Sequence, residues 1–339
     1  MPAPKVSVLM PVWNAAATVA RAVASVRGQT SADWEIIAVD DGSTDATPAI
    51  LRELAHAEPR LQVITRAHEG LVPALNTGLA AARGEFIARL DADDEALPER
   101  LAAQVEFLRA QPELGVAGSL VEFGGDAQAA AGYAWHVAWL NTVRTPEEIA
   151  LNQFVEAPFA HPSVMFRREL VPRHGGYRDG DFPEDYELWL RWLEAGVRMA
   201  KVPRVLLRWH DPPGRLSRTD PRYDTEAFFR CKAGFLARWL RAHVAPERRV
   251  LVWGAGRPTR RRVDWLRRAG TEVSGYVDID PRKVGRRLDG VSVISAPQIP
   301  AREAVFVLGY VAARGARDLA RAHLTQRGFV EGADFLFAA

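Results

Sequence analysis

Hydrophobic and polar positions along the first hundred residues switch repeatedly between two patterns. Short apolar runs at residues 5–12, 34–39, 61–65 and 86–90 read as buried strands. Between them, residues 17–27, 46–57 and 71–82 carry apolar side chains at helical spacing, as in Val19, Val23 and Val26. Strand and helix alternating at this interval predict βαβ units and a mainly parallel sheet. Beyond them the pattern predicts a helix at 98–109 with Pro98 in its first turn, a strand at 114–123 and a short helix at 146–152. Residues 124–139 show no clear period and read as a loop or irregular strand pair. A polar turn and strand follow at 159–168, then a turn at 175–178. A helix opening on Glu184-Asp185 comes next, then a last strand at 204–209 and a helix at 222–240.

A new α/β pattern starts behind Pro246-Glu247-Arg248. A strand at 249–253 runs into Gly254-Ala255-Gly256, with a helix to 269 and a second strand at 272–277. Another strand at 305–309, a helix at 312–326 and a strand at 329–335 complete a small sheet. Two domains are therefore expected, 1–245 and 246–339, as also suits a chain of 339 residues. The first is expected to have two halves, about 1–96 and about 97–245.

Composition adds mainly exclusions. A net charge of +2 from 44 basic and 42 acidic residues is not that of a dedicated nucleic-acid binder. The single Cys231 excludes an intramolecular disulfide and a multi-cysteine metal site. No apolar run is long enough for a membrane span. With a strand expected within a few residues of Met1 there is no room for a signal peptide, and a cytoplasmic location is expected.

The candidate chemistry lies at the strand ends. The run at 86–90 ends in Asp91, Asp93 and Asp94, where open α/β sheets place their ligand crevice. Three carboxylates this close call for a cation among them, and Mg²⁺ or Mn²⁺ shared with substrate phosphates suits oxygen ligands. The alternative is a solvated acidic turn with Asp94 as the cap of the next helix. Asp40-Asp41 ends the second strand on the same rim. Glu184 and Asp185 open a helix, where acids are favoured by the helix dipole in any protein. In the second domain Gly254, Gly256 and Asp278 resemble the opening of a Rossmann dinucleotide fold, with the acid placed for a ribose hydroxyl. Thr259 stands where that motif needs its third glycine, beside Pro258 and Arg257, Arg260, Arg261 and Arg262. The module is expected to act either as a scaffold or oligomerisation domain, or as a nucleotide site. Cys231 reads as buried filler.

The ordered segments MPVWNAAATVARAVASVRGQT, VDDGSTD, NTGLAAARGEFIARLDADD and PERLAAQVEFL resemble the inverting family 2 glycosyltransferases of the GT-A fold. The resemblance covers most of the first 240 residues. It implies a hexosyltransferase-type enzyme of cell-surface polysaccharide or glycoconjugate synthesis, with a GT-A type mainly parallel sheet flanked by helices. It also implies a nucleotide-sugar donor, a UDP-sugar first, a hydroxyl acceptor, and a divalent metal on the diphosphate; the absence of a span leaves room for peripheral contact with a lipid-linked acceptor. Residue by residue, Pro11 borders the nucleobase and Asp41 accepts a hydrogen bond from it. Asp91 sits near the ribose or a metal-bound water, and Asp93 ligates the metal. His210 approaches the metal or diphosphate. Asp185 is the general base that activates the acceptor, with Glu184 as its alternative. Arg215 and Arg218 are possible phosphate contacts. Two rivals are a nucleotidyltransferase, which Pro11-Val12-Trp13-Asn14 opposes because it lacks a glycine-rich basic loop, and a non-catalytic sugar-nucleotide sensor.

Overall fold

The computed structural model describes residues 4–339 apart from Ala127, Ala129, Pro213, Ala312 and Arg314. It divides into two compact units. The first holds residues through Ile149, Pro158–Gly180 and Arg191–Asp220; the second holds Ala150–Ala157, Asp181–Leu190 and Pro221–Ala339. The division therefore falls ahead of the helix Thr225–His243 and not at 245. The apolar face of that helix, with Phe229, Leu236 and Leu240, is built into the second unit's core.

The first unit is organised on an eight-stranded sheet. Its strands are β1 (Val6–Val12), β2 (Trp34–Asp40), β3 (Leu61–Thr65), β4 (Phe86–Arg89), β5 (Glu95–Ala96), β6 (Leu114–Phe123), β7 (Met165–Arg167) and β8 (Arg198–Trp209). Their order is β3-β2-β1-β4-β7-β6-β8-β5. β3, β2, β1 and β4 are parallel, β7 runs antiparallel to both its neighbours, and β6 and β8 are again parallel. Every residue of β1 and β2 is buried, because helices cover both faces and leave no solvent side for an alternating pattern. Val19, Ala22, Val23 and Val26 supply the buried stripe of the helix Val19–Arg27. The chain leaves β1 for β2 on one side and reaches β4 on the other, so the order reverses at β1. The carboxyl ends of β1, β2 and β4 thus border a topological switch point, where such sheets take their ligands.

Gly84 sets β4 beside β1. A Cβ there would lie 2.5 Å from the Ser7 backbone nitrogen and 2.9 Å from the Phe86 carbonyl oxygen, neither of which can swing away. Gly84→Ala is expected to destabilise the fold by about 1–3 kcal/mol, read as a lower chemical-denaturation midpoint. An unchanged midpoint would show that β4 can shift without cost.

Several elements differ from the pattern-based expectation. Residues expected to be irregular form the helix Ala131–Leu140. Its sequence, AGYAWHVAWL, is apolar on all sides, so no polar face marks a period. The last strand of the unit begins at Arg198, six residues ahead of the expected 204, with register shifts opposite Ser119 and Leu120. Its buried Lys201 hides the apolar run.

The second unit has its own sheet: β9 (Arg249–Trp253), β10 (Gly275–Val277), β11 (Arg287–Leu288), β12 (Val291–Ile294), β13 (Val305–Gly309) and β14 (Phe335–Phe337). The order is β11-β12-β10-β9-β13-β14, parallel except for the β11–β12 hairpin. That hairpin lies in residues the hydrophobic pattern left unassigned. The expected strand at 329–335 is β14, displaced toward the C-terminus, while Phe329 is buried just past the end of the preceding helix. That helix runs Ala316–Gln326; of its expected start, Ala312 and Arg314 lie outside the described residues.

Candidate functional site

Asp40 and Asp41 leave the end of β2 buried. Asp40 Oδ1 accepts the Ser43 N–H at 3.1 Å and shapes the turn. Asp41 is more heavily engaged. Its Oδ1 accepts the Glu69 N–H at 3.2 Å and lies 3.3 Å from Arg66 Nε. Its Oδ2 accepts the Gly70 N–H at 2.8 Å and lies 2.8 Å from His68 Nδ1. These partners match the roughly four lone-pair sites of a carboxylate. His68 is half exposed and stacks on Trp13, centroid to centroid 4.6 Å, at the end of β1. Pro11 lies inside β1, buried, opposite Val39.

At the end of β4 the structure brings Asp91, Asp93 and Asp94 together, one oxygen of each within 4.8 Å of the others. Asp94 is not a helix cap: the next helix begins at Arg100, and Asp94 is 1% exposed. Its Oδ1 accepts the His210 N–H at 2.8 Å, while its buried Oδ2 has no hydrogen-bond partner among the described residues. An orphaned carboxylate oxygen inside an acidic cluster is the kind of donor a hard divalent cation takes up. Burial and the charge of Asp91 push Asp93 up to about 6. Burial, Asp91 and Asp93 raise Asp94 well above the carboxylate range.

Two buried arginines offset this charge. Arg89 donates to Asp91 Oδ1 at 2.6 Å. Arg100 donates to the Arg89 carbonyl at 2.6 Å and to Gln104, which in turn holds the Ala117 and Ser163 carbonyls. Burial, aided by the like charge of Arg89 and opposed by Asp94, pushes Arg100 down to about 9. Neither arginine is evident from the sequence, where Arg89 only interrupts an apolar run.

The raised pKa of Asp93 has a consequence for stability. A carboxyl that titrates near 6 when folded and near 4 when unfolded weakens the fold increasingly as pH rises through that window. Asp93→Asn is therefore expected to stabilise the metal-free protein at pH 7 by on the order of 2 kcal/mol, with the advantage gone by pH 4. A melting-temperature series with chelator present checks both the sign and the pH range. A variant less stable than wild type at pH 7 would contradict the repulsion.

The ring of His210 is not gathered into the cluster: its Nε2 lies 2.6 Å from Glu95 Oε1. Arg215 and Arg218, indistinguishable by sequence, separate clearly. Arg218 pairs with Asp211 at 2.5 Å and is exposed. Arg215 lies over the Trp209 ring at 4.3 Å and the Tyr133 ring at 5.2 Å, and donates to the Tyr133 hydroxyl. Its charge acts on Asp93 and Asp94, lowering both against their burial.

In the residues of the second unit, the first turn of the helix Glu184–Glu194 carries Glu184, Asp185 and Glu187. Glu184 is 2% exposed and accepts the Tyr223 hydroxyl at 2.5 Å. Asp185 is half-buried, and its Oδ1 accepts the Tyr186 N–H at 2.7 Å. Tyr186 is anchored through its hydroxyl to the Gln153 carbonyl. The Cys231 thiol is pushed up to about 12 by burial and by Glu187 and Asp185, which makes it a poor nucleophile.

Gly254 ends β9 at φ +117°, a conformation that favours glycine, and Gly256 precedes the helix Arg257–Arg268. Asp278 ends β10 and turns back on this loop. Its Oδ2 accepts the Ala255 N–H at 2.8 Å and meets Lys283 Nζ at 3.0 Å, and its Oδ1 accepts the Asp280 N–H at 2.9 Å. Thr259 donates its hydroxyl to the Tyr310 carbonyl.

A mixed sheet whose switch point carries an acidic cluster is the architecture of a GT-A glycosyltransferase. Solved structures agree at the level of fold. The mannosyltransferase PcManGT from Pyrobaculum calidifontis, solved with GDP-Man and Mn²⁺, superposes with a TM-score of 0.51 at 22% identity, over 79% of this chain and 69% of that one. TarS of S. aureus, solved with UDP-GlcNAc, gives 0.54 at 17% identity, over 77% and 70%.

Sequence relatives are more specific. Residues 7–175 match Glycosyl transferase family 2. The putative glycosyltransferase EpsE of Bacillus subtilis is 32% identical over 232 residues, 66% of this chain and 79% of that protein. The amylovoran biosynthesis glycosyltransferase AmsE of Erwinia amylovora is 31% identical over 54% of this chain and 67% of its own length. The chain belongs to glycosyltransferase family 2, and it is a glycosyltransferase. Among the described residues, no helix is long and apolar enough to cross a membrane.

Proposed function

We propose that this enzyme transfers a sugar from a nucleotide-diphosphate donor to an acceptor hydroxyl, with inversion, in the synthesis of a cell-surface polysaccharide or glycoconjugate. The observation that carries the reading is the acidic triad at the switch point, with one oxygen buried and unpartnered among the described residues. The structural neighbours hold GDP-Man and UDP-GlcNAc, and relatives include a named polysaccharide-biosynthesis enzyme. A UDP-sugar is the first donor to test.

Asp93 and Asp94 would hold a Mg²⁺ or Mn²⁺ ion, which when bound neutralises charge on the departing diphosphate. Asp91, tied to Arg89 through Oδ1, would meet the ribose or a metal-bound water. Arg215, held by neutral aromatic rings, supplies a fixed positive charge on the diphosphate side. His210, paired with Glu95, would approach the diphosphate only by leaving that partner. At Asp41 a nucleobase N–H would displace the exposed His68. Asp185 takes the acceptor's proton. The acceptor oxygen bonds to the anomeric carbon as the bond from that carbon to the diphosphate oxygen breaks. Buried Glu184, hydrogen-bonded to Tyr223, suits an orienting role. Product NMR checks the stereochemistry: an anomeric configuration opposite to the donor's is expected, and a retained one would refute single displacement.

For the second unit we favour a scaffold with a Rossmann-like pattern. Asp278 already closes on the loop that would have to open for a dinucleotide, and Thr259 is held by the Tyr310 carbonyl. Saturable binding of NAD(H), NADP(H) or a nucleotide sugar that weakens on Asp278→Ala would restore the nucleotide reading for Gly254, Gly256 and Asp278.

A further inference from the structure

The net charge of +2 conceals a strong asymmetry. Residues 225–270 hold 12 Lys and Arg against three Asp and Glu, while the rest of the chain holds 32 against 39. A local excess of this size points to an anionic partner.

Two helices of the second unit carry most of it. Thr225–His243 and Arg257–Arg268 pack alongside each other. Glu226 takes Arg261 at 2.7 Å and Arg262 at 3.5 Å, Arg230 stands over the Trp265 ring at 5.8 Å, and Arg241 reaches the Ala269 carbonyl at 3.5 Å. Val263 and Leu266 are the buried side of the second helix. Arg257, Arg261 and Arg268, at i, i+4 and i+11, therefore share its outer stripe with Asp264, and all four are exposed. Arg268 also lies over Trp265, at 5.0 Å, which brings it close to Arg230 of the first helix. The carboxylates that meet these helices are shared out: Glu226 to Arg261 and Arg262, Asp264 to Arg267, and Asp289 to Arg260 and Arg267. Arg230 donates to the Asp181 carbonyl at 2.5 Å. Among the described residues, Arg230, Arg241, Arg257 and Arg268 are exposed and none of them pairs with a carboxylate.

We propose that this arginine face docks the protein on an anionic phospholipid surface. The inference does not depend on the sugar-transfer reading. A guanidinium offers a planar fork of donors that fits a phosphodiester headgroup, and it sheds water more readily than an ammonium does. The rest of the chain, net negative, is repelled by the same surface, which leaves this face as the one that docks. A nucleic acid would ask for more than charge: an element that enters a groove, or an open ring on which a base can stack. Trp265 is only partly exposed and has the guanidinium groups of Arg230 and Arg268 over it. Both helices are packed down on the unit's core through Leu236, Leu240, Val263 and Leu266.

The test is flotation of the full chain with phosphatidylcholine vesicles, with and without phosphatidylglycerol. Wild type should float only with phosphatidylglycerol present, and should be released at about 1 M salt, where screening shrinks to a few Å. Arg257→Gln combined with Arg268→Gln should weaken partitioning by about 25-fold, fivefold for each arginine, without lowering the melting temperature. Arg257→Lys with Arg268→Lys should keep most of the binding. Arg173→Gln with Arg198→Gln, which removes the same net charge from neither helix, should leave flotation as in wild type. No flotation of wild type, or equal weakening by the two Gln pairs, would overturn the proposal. So would a fluorescent DNA oligonucleotide, single-stranded or duplex, that binds more tightly than the vesicles and is lost in the Arg257 and Arg268 variant: the face would then be a nucleic-acid surface.

Discussion

Asp185→Asn is expected to lower transfer by a factor on the order of 10² to 10⁴, the usual contribution of a positioned general base. The amide keeps the size of the carboxylate and can still accept the Tyr186 N–H, so the helix start should survive. It cannot take a proton at neutral pH. Donor affinity should stay within a few-fold, which calorimetry on the same preparation checks. Glu184→Gln should cost much less, because its amide oxygen can still accept the Tyr223 hydroxyl in that buried position. A dead Glu184→Gln beside a nearly normal Asp185→Asn would reverse the two assignments. Loss of donor binding in both would make this helix start a structural cap, with the base elsewhere.

Asp93→Ala is expected to abolish transfer altogether while leaving the protein folded. The substitution removes one of three mutually repelling carboxylates, so the metal-free fold has nothing to lose. The site loses a ligand for the ion, and with it the counter-charge to the diphosphate. Exhaustive chelation of wild type should give the same result, reversed by Mn²⁺ or Mg²⁺. Activity that survives either treatment would remove the metal from the account.

The chain made parts of this legible and hid others for physical reasons. The strands of the nucleotide side were readable because both faces of β1, β2 and β4 are buried, which makes each mostly apolar, with acids following β2 and β4. The helix Ala131–Leu140 was not, because a segment apolar on every side has no period. Arg89, Arg100 and Arg215 were opaque for another reason. Arg100 and Arg215 depend on partners far along the chain, the Val164 carbonyl and the Tyr133 hydroxyl, that spacing does not encode, and Arg89 on its burial. Asp94 could be read from the sequence as a member of the cluster or as a helix cap, and its burial decides against the cap. Asp278 followed the dinucleotide spacing, yet its carboxylate closes on Ala255 and Lys283.

The central claim is that a nucleotide sugar binds this chain through a divalent ion at the acidic triad. A thermal-shift panel of UDP-, GDP- and dTDP-sugars, each with Mn²⁺ and with chelator, tests it most directly, since a ligand that binds only the folded state raises the melting temperature by mass action. At least one donor should raise the melting temperature of wild type with Mn²⁺ and have no effect with chelator, and Asp93→Ala should show no shift in either condition. Equal shifts with and without the ion, or a shift in Asp93→Ala as large as in wild type, would contradict it.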